Sequence, residues 1–446
     1  MSDLEGSINT DLSNAERFAT RYNNKLAYCD QIGWLEWDDQ RWARSNHAHI
    51  EAAKRTAIGI YSEADNPSLP KETRDTIVAW AKTSESQQRL FAMAKLAESD
   101  RKIRVDHAKL DANPMLLNVK NGVVDLRDNT LKSHLPELYL TKLANARYNK
   151  AATCPLWLDF LDRIFAGNQR LIKFIQRSVG YSLTGDASEK IFFLVYGSTD
   201  TGKSTFINTI QKLLGDYALT TPAATFMTKN GNTASNDIAR LMGARFVCAI
   251  ESEANQRMAT AVVKAMTGKD KLAARFLFKE YFDFVPQFKT WLATNHKPKI
   301  NSEDDAMWRR VKLIPFEVQI PQSEQDAHFT EKLAAEIDGI LMWALEGCAD
   351  WQRNGLQVPD EIVSATREYQ AEQDTIAQAF DECFISKKGC VTKSSDLYVK
   401  YSDWCYQNHE TPEKQNTFGR WLTDHGFASE KQGGGQAVRK GIALLA

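Results

Sequence analysis

The octapeptide Gly197-Ser-Thr-Asp-Thr-Gly202-Lys203-Ser204 constrains this chain more than any other stretch. It spells G-x-x-x-x-G-K-[ST] and lies between an apolar run, Ile191-Phe-Phe-Leu-Val-Tyr196, and a helical pattern, Phe206-Ile-Asn-Thr-Ile-Gln-Lys-Leu-Leu214. Glycines at such a strand-to-helix junction let backbone N–H groups turn inward, where the helix N-terminus and a lysine attract phosphate. The candidate phosphate cradle is Gly197, Ser198, Thr199, Asp200, Thr201, Gly202, Lys203, Ser204 and Thr205. Lys203 supplies a point charge for β/γ-phosphates and Ser204 a hydroxyl ligand for Mg²⁺, so ATP and Mg²⁺ are the expected ligands.

Downstream runs fit the same architecture. Strand-like segments at 191–196, 246–250, 288–294 and 311–316 alternate with helical or irregular stretches, which predicts an α/β core on a parallel sheet. The second run, Phe246-Val-Cys-Ala-Ile250, ends in Glu251-Ser-Glu253. Two carboxylates there suit a Mg²⁺ shell and a base for an attacking water, with Glu251 the candidate metal ligand and the base role open between Glu251 and Glu253. The third run ends at Thr294-Asn295, where an amide can hydrogen-bond a γ-phosphate or position water. The triplet Trp308-Arg309-Arg310 leads into the fourth run, and in a ring one of these arginines could reach a neighbour's nucleotide.

The rest of the chain bounds the reading. Its 446 residues suggest about three domains, and 43% hydrophobic with 25% charged residues predicts a soluble globular protein. Lys and Arg number 56 against 57 Asp and Glu, so any nucleic-acid surface must be a local patch. No apolar stretch approaches the roughly 20 residues of a membrane span, and the start lacks signal-peptide character, which predicts no membrane partner and a cytoplasmic location, host cytosol for a phage-encoded protein. Seven scattered cysteines with no C-x-x-C read as reduced structural thiols.

Residues 1–110 have helical periodicity and read as a mostly helical region, with Trp34, Trp37 and Trp42 as core rather than a base-stacking patch. Residues 111–185 read as short strands joined by tight turns, then helices ending at Gly180 and Gly185. Residues 186–354 read as the ATPase core, 354–359 as a linker, and 355–446 as a separate unit. Within 384–446 nine Lys/Arg outnumber six Asp/Glu.

With these elements in order, the chain resembles superfamily-3 helicases of the AAA+ class, most closely the helicase part of phage and plasmid primases, related to poxvirus primase-helicases. The resemblance runs from about residue 15 to 350, through Gly180-Tyr-Ser-Leu-Thr-Gly185, Leu213-Leu-Gly-Asp-Tyr217, Asp237-Ile-Ala-Arg-Leu-Met-Gly-Ala-Arg245, Thr267-Gly-Lys-Asp270, Ala274-Arg275, Phe284-Val-Pro286 and Thr294-Asn295. It implies Walker A roles for Lys203 and Ser204, Walker B for Glu251 and Glu253, sensor 1 for Asn295, and an arginine finger at Arg309 or Arg310. Ser252 splits an acidic pair that is adjacent in several relatives. The resemblance also makes 264–281 a channel-facing hairpin with DNA contacts from Lys264, Lys269, Lys271, Arg275 and Lys279. Residues 395–446 are similar to a winged helix, with Lys414, Arg420, Lys431, Arg439 and Lys440 available for duplex phosphates if that unit binds DNA rather than protein.

The expectation is therefore an ATP-hydrolysing, homo-hexameric helicase that translocates on single-stranded or forked DNA in replication of a phage, plasmid or other mobile element, served by a separate primase or polymerase. No acidic metal motif in the first 110 residues argues for primer synthesis. Two rivals stand beside it: an AAA+ ATPase that remodels protein complexes, and a nucleotide-switched, DNA-binding replication initiator.

Overall fold

A computed structural model describes residues 9–228, 235–250, 256–277, 280–408, 410–432 and 436–445. Contacts divide the chain into two compact units, Met1–Lys297 with Arg310–Val363, and Pro298–Arg309 with Ser364–Ala446. The second unit thus begins beyond the expected residue 355 and takes in a short excursion from the core.

The first unit opens with α1 (Asp11–Tyr22), β1 (Leu26–Cys29), β2 (Gly33–Trp37), β3 (Trp42–Arg44), α2 (Ala48–Gly59), α3 (Lys71–Ser84) and α4 (Gln87–Ala97). The helices follow the sequence periodicity. The antiparallel β1-β2-β3 sheet was not expected in a region read as mostly helical, because its strands are only three to five residues long. Trp34 and Trp42 are buried and Trp37 half-buried. The Trp34 ring stacks on His49 at 5.1 Å, so most of this aromatic patch is core.

Next come the antiparallel strands β4 (Leu116–Val119), β5 (Gly122–Asp125) and β6 (Thr130–Lys132), followed by α5 (Pro155–Ile164) and α6 (Gln169–Leu183). Helix α6 does not stop at Gly180. That glycine lies where a Cβ would collide with the backbone at Gly347 and Cys348, so the missing side chain serves a close helix crossing instead of a terminus.

The core then runs β7 (Phe192–Tyr196), α7 (Lys203–Leu214), β8 (Ala218–Thr220), α8 (Ser235–Ala239), β9 (Phe246–Ile250), α9 (Thr260–Met266), β10 (Leu272–Ala274), β11 (Phe282–Phe284), β12 (Lys289–Thr294), then α10 (Asp305–Trp308) in the excursion that belongs to the second unit, and again in the core β13 (Val311–Pro315), α11 (Phe329–Ala335) and α12 (Ile337–Asn354). Strands β13-β7-β12-β9-β8 pair in that order, all parallel, as the apolar runs predicted. Parallel strands covered on both faces need continuous apolar sequence, and Phe192, Phe193, Leu194 and Val195 are all fully buried.

Residues 355–359 are not a free linker. Leu356 is buried, and Arg177 of α6 donates to the Leu356 carbonyl at 2.8 Å and to the Gln357 carbonyl at 3.3 Å. Beyond them lies α13 (Asp360–Glu372).

In the second unit, α14 (Thr375–Cys383), β14 (Phe384–Lys393), α15 (Ser394–Gln407), α16 (Gln415–Asp424), β15 (Ser429–Gln432) and β16 (Gln436–Leu444) form a winged-helix arrangement. Its sheet order is β14-β16-β15. Phe380, Phe384, Tyr401, Phe418 and Trp421 make its aromatic core.

Candidate functional site

Register explains how the core positions chemistry. Tyr196 of β7 pairs with Thr294 of β12 and with Pro315 of β13, while Ile250 of β9 pairs with Ala293. The three strands end level, so the chain leaves them at one edge of the sheet, after Tyr196, after Ile250 and after Thr294. This is where open parallel sheets bind ligands.

The loop after β7 is tightly held. Gly197 packs against the Phe316 carbonyl with no space for a side chain, and Phe316 N–H donates to the Tyr196 carbonyl at 2.7 Å. Asp200 and Gly202 take positive φ of 61° and 84°, and Ile320 N–H donates to the Asp200 carbonyl at 2.8 Å. Thr201 is buried and its hydroxyl donates to the Ser198 carbonyl at 3.0 Å. Lys203 is buried too. Its ammonium donates to the Gly197 carbonyl at 2.8 Å, to the Ser198 carbonyl, and to Thr201 Oγ1 at 3.2 Å. Burial lowers its pKa, while the Asp200 carboxylate pulls the other way. Ser204, by contrast, is exposed in the first turn of α7.

A cleft of about 530 Å³ opens over this loop. Helix α5 provides Leu156 and Phe160, the segment after β13 provides Ile320 and Phe329, and the loop, Ile250, Ala293, Thr294 and Asn295 form the floor. The Phe160 and Phe329 rings lie 5.5 Å apart, and Arg163 pairs with Glu324. Sequence reasoning missed this wall. Its residues come from two segments more than 150 positions apart and carry no local motif.

The volume and chemistry fit a nucleoside triphosphate. Apolar side chains flank the space, backbone and ammonium donors sit at one end, and a Cβ at Gly202 would crowd Ile164 and Phe160 at 3.0–3.1 Å. The exposed Ser204 hydroxyl lines the same cleft.

Other expected site residues fall elsewhere. Glu251 and Glu253 lie outside the described residues, as does Lys279. Asn295 is exposed at the end of β12 and lines the cleft. Arg309 and Arg310 are not brought to the phosphate loop. Val311 pairs with Phe192, at the start of β7, so these arginines enter at the opposite end of the sheet. Four residue steps at about 3.3 Å put that end roughly 13 Å from the loop.

The segment 264–281 begins in α9 and overlaps a hairpin that reaches past its end, with β10 (272–274) pairing antiparallel to β11 (282–284). Lys264 is half-buried on α9, whereas Lys269, Lys271 and Arg275 are exposed. In the winged helix, Lys414, Arg420, Lys431 and Lys440 are exposed, with Lys440 paired to Glu430 at 2.7 Å. Arg439 corrects the expectation of a phosphate contact. It is buried, and its guanidinium donates to Thr423 Oγ1 at 2.6 Å, the Phe427 carbonyl at 2.8 Å and the Gly419 carbonyl at 2.6 Å. From β16 it pins α16 to the sheet. No helix among the described residues is long and apolar enough to cross a membrane.

The fold and loop define a P-loop α/β protein with a parallel core and an appended winged-helix-like unit. Within that class, residues 15–166 match a family profile described as D5 N terminal like, and residues 195–310 match a family of unknown function, DUF5906. A protein of Acanthamoeba polyphaga mimivirus carrying a provisional helicase name is 28% identical over 333 residues, covering 67% of this chain and 34% of that protein. Another so named, from Invertebrate iridescent virus 3, is 27% identical over 334 residues, covering 66% and 35%. The chain thus spans about a third of the length of these relatives. Among solved structures, the apo C-terminal region of NrS-1 aligns at a TM-score of 0.47 and 12% identity, over 80% of this chain and 89% of that one. The profile matches and viral relatives support the resemblance read from the motifs.

Proposed function

We propose that this chain is the ATP-driven motor of a DNA helicase, assembled as a homo-hexamer that translocates on single-stranded DNA during replication of a phage, plasmid or related mobile element. One observation carries the reading. The lysine and the asparagine meet at the carboxyl edge of the parallel sheet, while the arginine pair enters at the other end. A charge-stabilising role for Arg309 or Arg310 then calls for the nucleotide of another copy, and so for a ring or a stack of subunits.

In this reading the Lys203 ammonium exchanges its loop carbonyls for β/γ-phosphate oxygens, and the backbone N–H groups of residues 198–204 share the phosphate charge. Magnesium, held through the Ser204 hydroxyl and an acid at Glu251 or Glu253, supplies charge neutralisation on the phosphates. The other glutamate takes a proton from water, Asn295 orients that water, and Arg309 or Arg310 of a neighbour meets the charge that develops. Leu156, Phe160, Ile320 and Phe329 exclude water around the base. Forked DNA, and a separate primase or polymerase, are the partners.

The test mixes two inactive variants, Lys203→Ala and the double change Arg309→Ala/Arg310→Ala. Mixed assemblies contain interfaces with an intact lysine on one side and intact arginines on the other, so ATP hydrolysis should return on mixing. Mixtures as inactive as each variant alone, or full activity from a stable monomer, contradict the shared site.

A further inference from the structure

The hairpin has two unlike faces. Leu272, Ala274, Phe282 and Phe284 are buried on one, which docks on His107: its Nε2 lies 3.3 Å from the Asp283 carbonyl and its ring meets Phe282 edge-on at 5.9 Å. On the other face the alternation of strands leaves Lys271, Ala273, Arg275, Tyr281, Asp283 and Val285 exposed. Arg275 and Tyr281 stand one rung beyond the Ala274–Phe282 pair, and the guanidinium carbon sits 4.9 Å from the tyrosine ring centre. Tyr281 is nonetheless 61% exposed, and Leu277 is 68% exposed.

An aromatic ring displayed this openly on a short hairpin, with a cation against it, is poorly explained by packing. Charge is no better explanation of what the face does, because the two outward cations Lys271 and Arg275 share it with Asp283. Phosphate attraction alone would be weak here, whereas a π-face offers sequence-independent grip on any base.

We propose that Tyr281 is a base-stacking residue: an unpaired DNA base lies on its ring, Arg275 buttresses the stack, and Lys271, four residues before Arg275 on the same face, takes a backbone phosphate. The inference rests on the helicase reading and adds to it a contact with bases. A hairpin that grips through lysines alone would touch only the phosphodiester chain. Stacking predicts that the protein distinguishes an oligonucleotide with bases from one without them.

The experiment measures binding of a labelled oligothymidylate and of an equally long abasic oligonucleotide to the full chain by fluorescence anisotropy. Wild type should prefer the oligothymidylate. Tyr281→Ala should weaken oligothymidylate binding about 5- to 100-fold, the range for one lost base–aromatic stack. It should also abolish the preference, and Tyr281→Phe should retain both. The slope of log affinity against log salt should be unchanged in Tyr281→Ala and lower by about 0.7 in Lys271→Ala, which removes one phosphate contact. Thermal melting of each variant confirms folding. If wild type binds oligothymidylate and Tyr281→Ala matches it, the stacking role is overturned while the helicase reading stands. If wild type binds neither oligonucleotide, both fall.

Discussion

Replacing Gly197 with alanine tests whether the phosphate loop works because its backbone is held in place. A Cβ there would sit 3.0 Å from the Phe316 carbonyl carbon and 3.1 Å from its Cβ, and closer still to its oxygen. Phe316 cannot yield. It is fully buried, its N–H is bonded to Tyr196, and its ring packs on Phe165 at 5.0 Å and Phe206 at 5.9 Å. Relief to an ordinary contact of about 3.4 Å therefore moves the loop by about 1 Å, away from the Lys203 anchor. Misplacement of that size costs on the order of 10²-fold in rate, and overpacking costs about 1–3 kcal/mol of stability. Steady-state ATP hydrolysis should show kcat/KM reduced about 100-fold, with melting lowered by only a few degrees. A Gly197→Ala protein whose kcat/KM stays within about threefold of wild type would refute the claim that loop position sets the rate.

Other perturbations report on separate parts. Arg439→Ala strands the Phe427 carbonyl, while Gly419 keeps the Thr423 hydroxyl, and should destabilise the winged helix by about 1–3 kcal/mol, read as faster proteolysis of the C-terminal unit in the full chain; unchanged protection contradicts the pinning role. The Asp125 carboxyl is held well below the usual carboxylate range by hydrogen bonds from Arg127 first and also Lys132. Its stabilisation is present above the unfolded value of 3.8 and is lost as pH falls below it, so the melting advantage of wild type over Asp125→Asn should shrink from about pH 6 to about pH 3. An advantage that is flat or grows with acid contradicts the pairing. Six of the seven cysteines are buried and Cys390 is half-buried, so a thiol reagent should label one site rapidly in the native protein, mapped to Cys390 by mass spectrometry; rapid labelling of several sites contradicts the burial pattern.

The parallel core was legible because its strands are continuous apolar runs. Those at 191–196, 246–250, 288–294 and 311–316 emerged within a residue or so of β7, β9, β12 and β13. The strand-to-helix turn at 197–204 was legible for a related reason, since its residues are contiguous. What escaped was information carried by distant pairs. The cleft wall joins α5 to the segment after β13, and Gly180 looks like a helix stop until Gly347 is seen against it. Arg245 and Arg439 are further cases. Arg245 is wholly buried, donating to the carbonyls of Leu183 and Leu116 at 2.6 Å each and stacking on Tyr217 at 4.5 Å. A sequence assigns such arginines to a surface, because the carbonyls that satisfy them belong to the backbone, which has no signature.

The central claim is that nucleotide turnover at Lys203 is coupled to single-stranded DNA in an assembly. It is tested most directly by ATP hydrolysis measured with and without single-stranded DNA across a range of protein concentration, beside Lys203→Ala. The account predicts a rate that DNA stimulates, that rises cooperatively with protein, and that vanishes in the variant. A Lys203-dependent rate indifferent to DNA would contradict it in favour of an ATPase that remodels protein complexes, and no hydrolysis at all in favour of a nucleotide-switched DNA binder.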